Sequence, residues 1–116
     1  MKPQFLIGAA SSGSGKTTFT MGLLRALAHR GMRVQPYKCG PDYIDTQFHS
    51  LASKQVSVNL DTWLASEEHV RSLYHSYGKD ADVCTVEGVM GLYDGYSGMK
   101  GSSAAMAALL DIPVIL

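Results

Sequence analysis

The sequence predicts an α/β fold, a parallel sheet covered by helices on both faces, and three observations carry that expectation. Short apolar runs alternate with helical patterns along the chain. A glycine- and serine-rich loop joins the first run to the first helix, and glycine or proline punctuates most later boundaries. Strands alternating with helices imply right-handed crossovers, which set neighbouring strands parallel and bury them on both sides.

Phe5 to Ala9 is wholly apolar and ends in small residues, the pattern of a doubly buried strand. Phe19, Leu23, Leu24 and Leu27 then recur at helical spacing until Gly31, which stands where a helix stop belongs. Val34 to Cys39 reads as a second strand, closed by Gly40-Pro41-Asp42, and a loop is expected from there because proline cannot donate to a ladder. Ser66, followed by Glu67 and Glu68, opens a helix whose buried stripe is Val70, Leu73, Tyr74 and Tyr77 and whose stop is Gly78. Ala81 to Val86 is a third strand with Glu87 and Gly88 at its carboxyl end. Gly88, Gly91, Gly95, Gly98 and Gly101 follow too closely for a stable helix. Ser102 or Ser103 caps an alanine-rich helix, and Pro113 to Leu116 is a fourth strand. A parallel sheet ending there leaves an apolar face without its helix, so the expectation is the front part of a longer protein, incomplete at its C-terminus.

A chain of 116 residues, 46% of them hydrophobic, supports one modest core. Net charge is zero and charges are scattered singly, which leaves no basic face for nucleic acid and no polybasic membrane patch. Apolar runs fall far short of the ~20 residues of a membrane span. Met1-Lys2-Pro3 leads straight into a strand rather than a signal peptide, so a cytoplasmic protein is expected. Cys39 and Cys84 are isolated and read as reduced strand residues. His29, His49, His69 and His75 form no spaced cluster and read as surface or packing residues; Trp63, in "NLDTWL", reads as core.

The segment Ala10-Ser11-Ser12-Gly13-Ser14-Gly15-Lys16-Thr17 matches the phosphate-loop pattern G-x-x-x-x-G-K-[ST] except at its first position, where alanine stands for glycine. Backbone N–H groups of such a loop curl around phosphate oxygens while the following helix aims its positive end at them. Lys16 neutralises terminal phosphates and the Thr17 hydroxyl suits Mg²⁺. The ligand is ATP or GTP, and no guanine-reading motif is visible. The fold class is therefore a three-layer, P-loop NTPase-like α/β fold.

Ligands of open parallel sheets sit at the carboxyl ends of strands, so polar residues there gain weight. Lys38 lies near the end of the second strand, with Asp42 and Asp45 following in "KCGPDYID"; Glu87 closes the third, and Asp94 lies in the glycine-rich loop. Thr17, Asp42 and Glu87 could supply the hydroxyl and carboxylates of a magnesium site. Asp42 and Asp45 could instead merely cap a turn or a short helix after Pro41, and Asp94 could be a solvated acid, the less favoured readings. Glu87 sits between Val86 and Gly88 at a buried strand end, where a carboxylate has to be paired or metal-bound.

Taken in order, "SSGSGKTT", "PYKCGPDYIDTQFH", "VNLDTWL" and "VEGVMGLYDG" resemble the amino-terminal ATP-binding domain of the cobyrinic acid a,c-diamide synthases, across nearly the whole chain. The resemblance implies a dethiobiotin synthetase-like fold and an enzyme that uses ATP and Mg²⁺ to amidate the a and c carboxylates of cobyrinate, a step of cobalamin biosynthesis. It implies a tetrapyrrole substrate, ammonia from glutamine, and a carboxyl-terminal glutaminase domain, normally in the same chain, whose nucleophile nothing here supplies; residues 1–116 alone would be inactive, and a homodimer stays open. It places phosphate on Ser12, Gly13, Ser14, Gly15, Lys16, Thr17 and Thr18, metal on Thr17, Asp42 and Glu87, and Lys38 beside the reacting phosphoryl and carboxyl groups. Tyr43, Asp45 and Asp94 would face the substrate, the two acids orienting ammonia or tuning the intermediate. Sister enzymes acting on nickel-sirohydrochlorin or hydrogenobyrinate share these motifs. A partitioning or switch ATPase usually carries a second lysine early in the phosphate loop, where this chain has Ala10 or Ser11.

Overall fold

The computed structural model describes residues 2–9, 15–40, 42, 44–63, 65–89, 91–93 and 102–116. Strands and helices alternate as β1 (Gln4–Ile7), α1 (Lys16–His29), β2 (Val34–Cys39), α2 (Asp45–Ser53), β3 (Val58–Leu60), α3 (Glu67–Gly78), β4 (Val83–Glu87), α4 (Ser103–Leu110) and β5 (Val114–Ile115). The five strands form one sheet in the order β3-β2-β4-β1-β5, and every pairing is parallel. The predicted α/β class with a parallel sheet holds.

Two apolar layers flank the sheet. On one face Val70 and Tyr74 of α3 and Met106 and Leu110 of α4 pack on Leu6, Tyr37, Leu60 and Val86. On the other, Leu24 of α1 and Ala52 of α2 meet Val34 and Val83. β2 and β4, inside the sheet, are buried along their whole lengths, polar Gln35, Lys38, Thr85 and Glu87 included. The helix starts follow the sequence signals. Gly15 precedes α1 at φ 81°, a left-handed conformation that favours glycine. Ser66 accepts the His69 N–H to open α3, and Ser102 accepts the Ala105 N–H to open α4.

Four expectations are corrected. The loop expected after Gly40 contains a helix and a strand, α2 and β3, so the described residues form five strands rather than four. The buried side chains of α2 are Thr46, His49, Ala52 and Ser53, whereas Ile44, Phe48 and Leu51, on and just before the helix, are exposed. An amphipathic pattern turned inside out gives no apolar stripe to read. Tyr77, assigned to the buried stripe of α3, is 50% exposed, and Trp63, assigned to the core, is 65% exposed. His49 lies neither at the surface nor in an apolar core; it is fully buried in a polar cluster. Cys39 and Cys84 are, as expected, buried and unpaired.

The carboxyl end of β4 is seated directly on α4. A Cβ on Gly88 would meet Ser103 Oγ at 2.5 Å and the Ile7 carbonyl oxygen at 3.0 Å, and Ser103 Oγ already accepts the Val89 N–H at 2.8 Å. Gly88→Ala should therefore destabilise the full-length protein by about 1–3 kcal/mol through overpacking, measured as a lower urea midpoint with unchanged slope. A stability within error of wild type would show that the close approach is not needed.

Candidate functional site

Three strands present their carboxyl ends to the same side of the molecule. Asn59 of β3, Lys38 of β2 and Glu87 of β4 stand in register across the sheet, so their side chains emerge as neighbours on one face. Thr17, the second residue of α1, reaches this row from the phosphate-loop side, and α2 closes it from the other. The convergence follows from the strand order, which sets β4 between β1 and β2.

Glu87 is the centre. It is 0% exposed, and its two oxygens have separate partners. Oε2 receives the Lys38 ammonium at 2.8 Å and the Thr17 hydroxyl at 3.0 Å; Oε1 lies 2.8 Å from His49 Nε2. Burial pushes its pKa up, but the hydrogen bond from His49 and the bond and charge of Lys38 outweigh this and hold the carboxyl down at about 2. Lys38, only 3% exposed, also donates to Asp45 Oδ2 at 3.0 Å and to the Gly88 carbonyl at 3.3 Å. Burial alone would lower its pKa, yet Glu87 and Asp45 raise it, so the ammonium stays charged.

Asp42 and Asp45 both lie beside Lys38 but make different contacts. Asp42 Oδ1 accepts the backbone N–H groups of Ile44 and Asp45, both at 2.9 Å, and so caps the turn into α2; its Oδ2 lies 3.7 Å from Lys38 Nζ. Burial raises the Asp42 pKa, but the two backbone donors and Lys38 bring it below the usual carboxylate value. Its own N–H donates to Asn59 Oδ1 at 3.1 Å. Asp45 is the carboxylate that meets Thr17, at 3.4 Å through Oδ2.

The structure thus brings Thr17, Lys38, Asp45 and Glu87 together, with Asp42 behind Lys38. Gly15 and Lys16 line an adjacent cleft of about 420 Å³ with Gly8, Ala9 and Phe19. Thr18 is exposed on α1. Ser12, Gly13, Ser14, Tyr43 and Asp94 lie outside the described residues. Among the described residues no three His, Cys, Asp or Glu side chains have metal-holding geometry. The donors that do converge are a hydroxyl and two carboxylates, Thr17, Asp45 and Glu87. This hard-oxygen set fits Mg²⁺, which takes one or two carboxylates and fills its shell with phosphate and water. Among the described residues three carboxylates, Asp42, Asp45 and Glu87, lie 2.8–3.7 Å from the Lys38 ammonium.

His49 is the residue that sequence reasoning missed. A search for histidines spaced from other histidines or cysteines passes over it. The usable signal is its distance from Asp45: "DTQFH" puts the two at i and i+4, on one face of a helix.

Residues 5–115 match the family described as CobQ/CobB/MinD/ParA nucleotide binding domain. The chain is 51% identical over 116 residues to a cobyrinate a,c-diamide synthase of Dehalococcoides mccartyi (strain CBDB1), an alignment covering 98% of this chain and 25% of that protein. Cobyrinate a,c-diamide synthases of Streptococcus sanguinis (strain SK36) and Picrophilus torridus are 53% and 49% identical, over 97% and 96% of this chain and 26% of each relative. The chain spans about a quarter of the length of these curated relatives.

The Glu87 environment sets a pH signature. Its folded pKa of about 2 lies below the ordinary value of 4.5, so the stabilisation it contributes is complete above pH 4.5 and is lost as pH falls towards 2. Glu87→Gln should flatten that part of the stability–pH curve, followed by urea denaturation; an unchanged acid limb would show that Glu87 is not held ionised. Lys38→Met should cost about 3–5 kcal/mol at neutral pH, because it strands a buried carboxylate.

Proposed function

Because the chain belongs to the family of CobQ/CobB/MinD/ParA nucleotide binding domains, we propose that residues 1–116 form the amino-terminal part of an ATP-binding amidoligase domain, in an enzyme that amidates the a and c carboxylates of cobyrinate. The observation that carries this reading is the contact of Thr17, directly after Gly15-Lys16 at the head of α1, with Glu87 and Asp45, bridged by Lys38. A phosphate-holding helix start and a charged cluster at the adjacent strand ends are what phosphoryl transfer to a carboxylate requires. The names of the relatives, close to half identical throughout, support cobyrinate as the substrate.

A carboxylate resists ammonia because its anion is a poor electrophile and oxide does not leave. Transfer of the γ-phosphoryl of ATP to a substrate carboxylate oxygen gives an acyl phosphate and ADP; ammonia then attacks the carbonyl carbon and phosphate departs. In this scheme Lys16 and the loop through Thr18 hold the triphosphate. Lys38 releases part of its hold on Asp45 and Glu87 to face charge on the transferred group. Thr17, Asp45 and Glu87 would hold Mg²⁺, which supplies charge neutralisation at the phosphates. Asp42 keeps α2 and hence Asp45 in place, and Asp45, Asp94 and Tyr43 border the acceptor. The ammonia comes from glutamine at a glutaminase domain elsewhere in the longer protein. Cys39 is no candidate for its nucleophile, since burial pushes its thiol up to about 12. On this reading residues 1–116 bind nucleotide but do not amidate, and the enzyme works in the cytoplasm.

The test is ATP turnover by the full-length protein. Cobyrinate with glutamine or ammonia should stimulate it, with the diamide appearing by mass spectrometry. Turnover that ignores tetrapyrroles and answers to a protein or DNA partner would instead identify a partitioning ATPase, and preference for nickel-sirohydrochlorin or hydrogenobyrinate a sister synthase. Lys16→Ala should abolish nucleotide binding, whereas Glu87→Gln should spare it and lower kcat roughly 10²-fold or more. Wild-type amidation by either variant would refute the assignment of that residue.

A further inference from the structure

His49 has a position that packing does not explain. It is 0% exposed, on the inner face of α2, and both ring nitrogens are engaged: Nε2 lies 2.8 Å from Glu87 Oε1 and Nδ1 lies 3.2 Å from Ser57 Oγ. An ionised carboxylate can only accept, so Nε2 carries the hydrogen. Ser57 is itself anchored, its backbone N–H donating to Ser50 Oγ at 3.0 Å, and Ser50 Oγ donating to the Thr46 carbonyl at 2.8 Å. A relay runs from the α2 backbone through Ser50, Ser57 and His49 to one oxygen of Glu87. Burying an imidazole merely to fill space would cost its hydration, which an aliphatic side chain of similar volume would not.

We propose that His49 is a positioning residue, which fixes the plane of the Glu87 carboxylate so that Oε2, and not Oε1, faces Thr17 and the nucleotide metal. The terminal torsion of a glutamate is broad and roughly two-fold, so a carboxylate held at one oxygen alone can swing. With Oε1 tied to His49, the pair Lys38 and Thr17 always meets Oε2. Carboxylates that hold metals are commonly oriented by such hydrogen-bonded neighbours, and losing the neighbour typically weakens metal affinity 10–100-fold. The inference rests on Glu87 being on the metal side of the site, as the proposed function has it.

The glutamine and asparagine variants separate the two hydrogen bonds. His49→Gln places an amide N–H where Nε2 stood and keeps the bond to Glu87; His49→Asn reaches only as far as Nδ1 and keeps the bond to Ser57. Mn²⁺ is titrated by electron paramagnetic resonance into the full-length protein saturated with a non-hydrolysable ATP analogue, and thermal melting reports folding. Mn²⁺ affinity should fall roughly 10–100-fold in His49→Asn and stay within about 3-fold of wild type in His49→Gln. Affinity for the analogue without divalent metal should be unchanged in both. Equal Mn²⁺ affinities in the two variants, whether both native or both weakened, would overturn the inference. Should His49→Asn not fold, His49→Leu takes its place against the same two outcomes. No Mn²⁺ binding by the wild-type protein would overturn the metal-side reading of Glu87 itself, whereas wild-type binding unmoved by His49→Asn overturns only the role of His49.

Discussion

A carboxylate with no exposed surface, at the end of a central strand, is the constraint around which this molecule is arranged. Ionised and unpaired, Glu87 would destabilise the fold by more than any one apolar contact contributes. Among the described residues its partners come from three different elements: Lys38 from β2, His49 from α2 and Thr17 from α1. Satisfying one charge therefore fixes how β4, its neighbouring strand and two helices stand to one another. The polar cluster is as much a part of the architecture as the apolar layers, and it lies where an open parallel sheet offers its binding crevice.

What the sequence made legible depended on how directly a residue's environment is written in its neighbours. The first strand, Gly15-Lys16-Thr17 and α1 could be read because an apolar run, a glycine-rich loop and a helical stripe stand in immediate succession. Glu87 could be read because a lone acid between Val86 and Gly88 contradicts its surroundings. α2 and β3 could not, because α2 turns Thr46, His49 and Ser53 inward and leaves Phe48 and Leu51 outside, and β3 is three residues long with Asn59 at its centre. Hydrophobic periodicity reports burial in oil, whereas most of the inward side chains of α2 are polar and β3 is too short to show a period.

The division between Asp42 and Asp45 shows the same limit at closer range. Both stand in "GPDYID", both are acidic, and either suits a cap or a metal. Their contacts differ: the turn after Gly40 brings the Ile44 and Asp45 N–H groups onto Asp42 Oδ1, while Asp45 Oδ2 lies 3.4 Å from the Thr17 hydroxyl. Sequence identifies the chemistry available to such a pair, and only the path of the chain allots it. Membership of the nucleotide-binding family agrees with the phosphate-loop side of this arrangement, which the residues had indicated by themselves.

The inverted face of α2 carries a thermodynamic meaning. Ala52 is the only apolar side chain of the helix that is buried, and α2 also meets the sheet through hydrogen bonds and ion pairs made by Asp45 and His49. Local opening of α2 would break these contacts and take the cluster apart. A ligand that binds the closed cluster and not the opened one shifts that equilibrium by mass action, and docks the helix as it binds. A ligand selective for the closed cluster would raise the order of α2 as it filled the crevice.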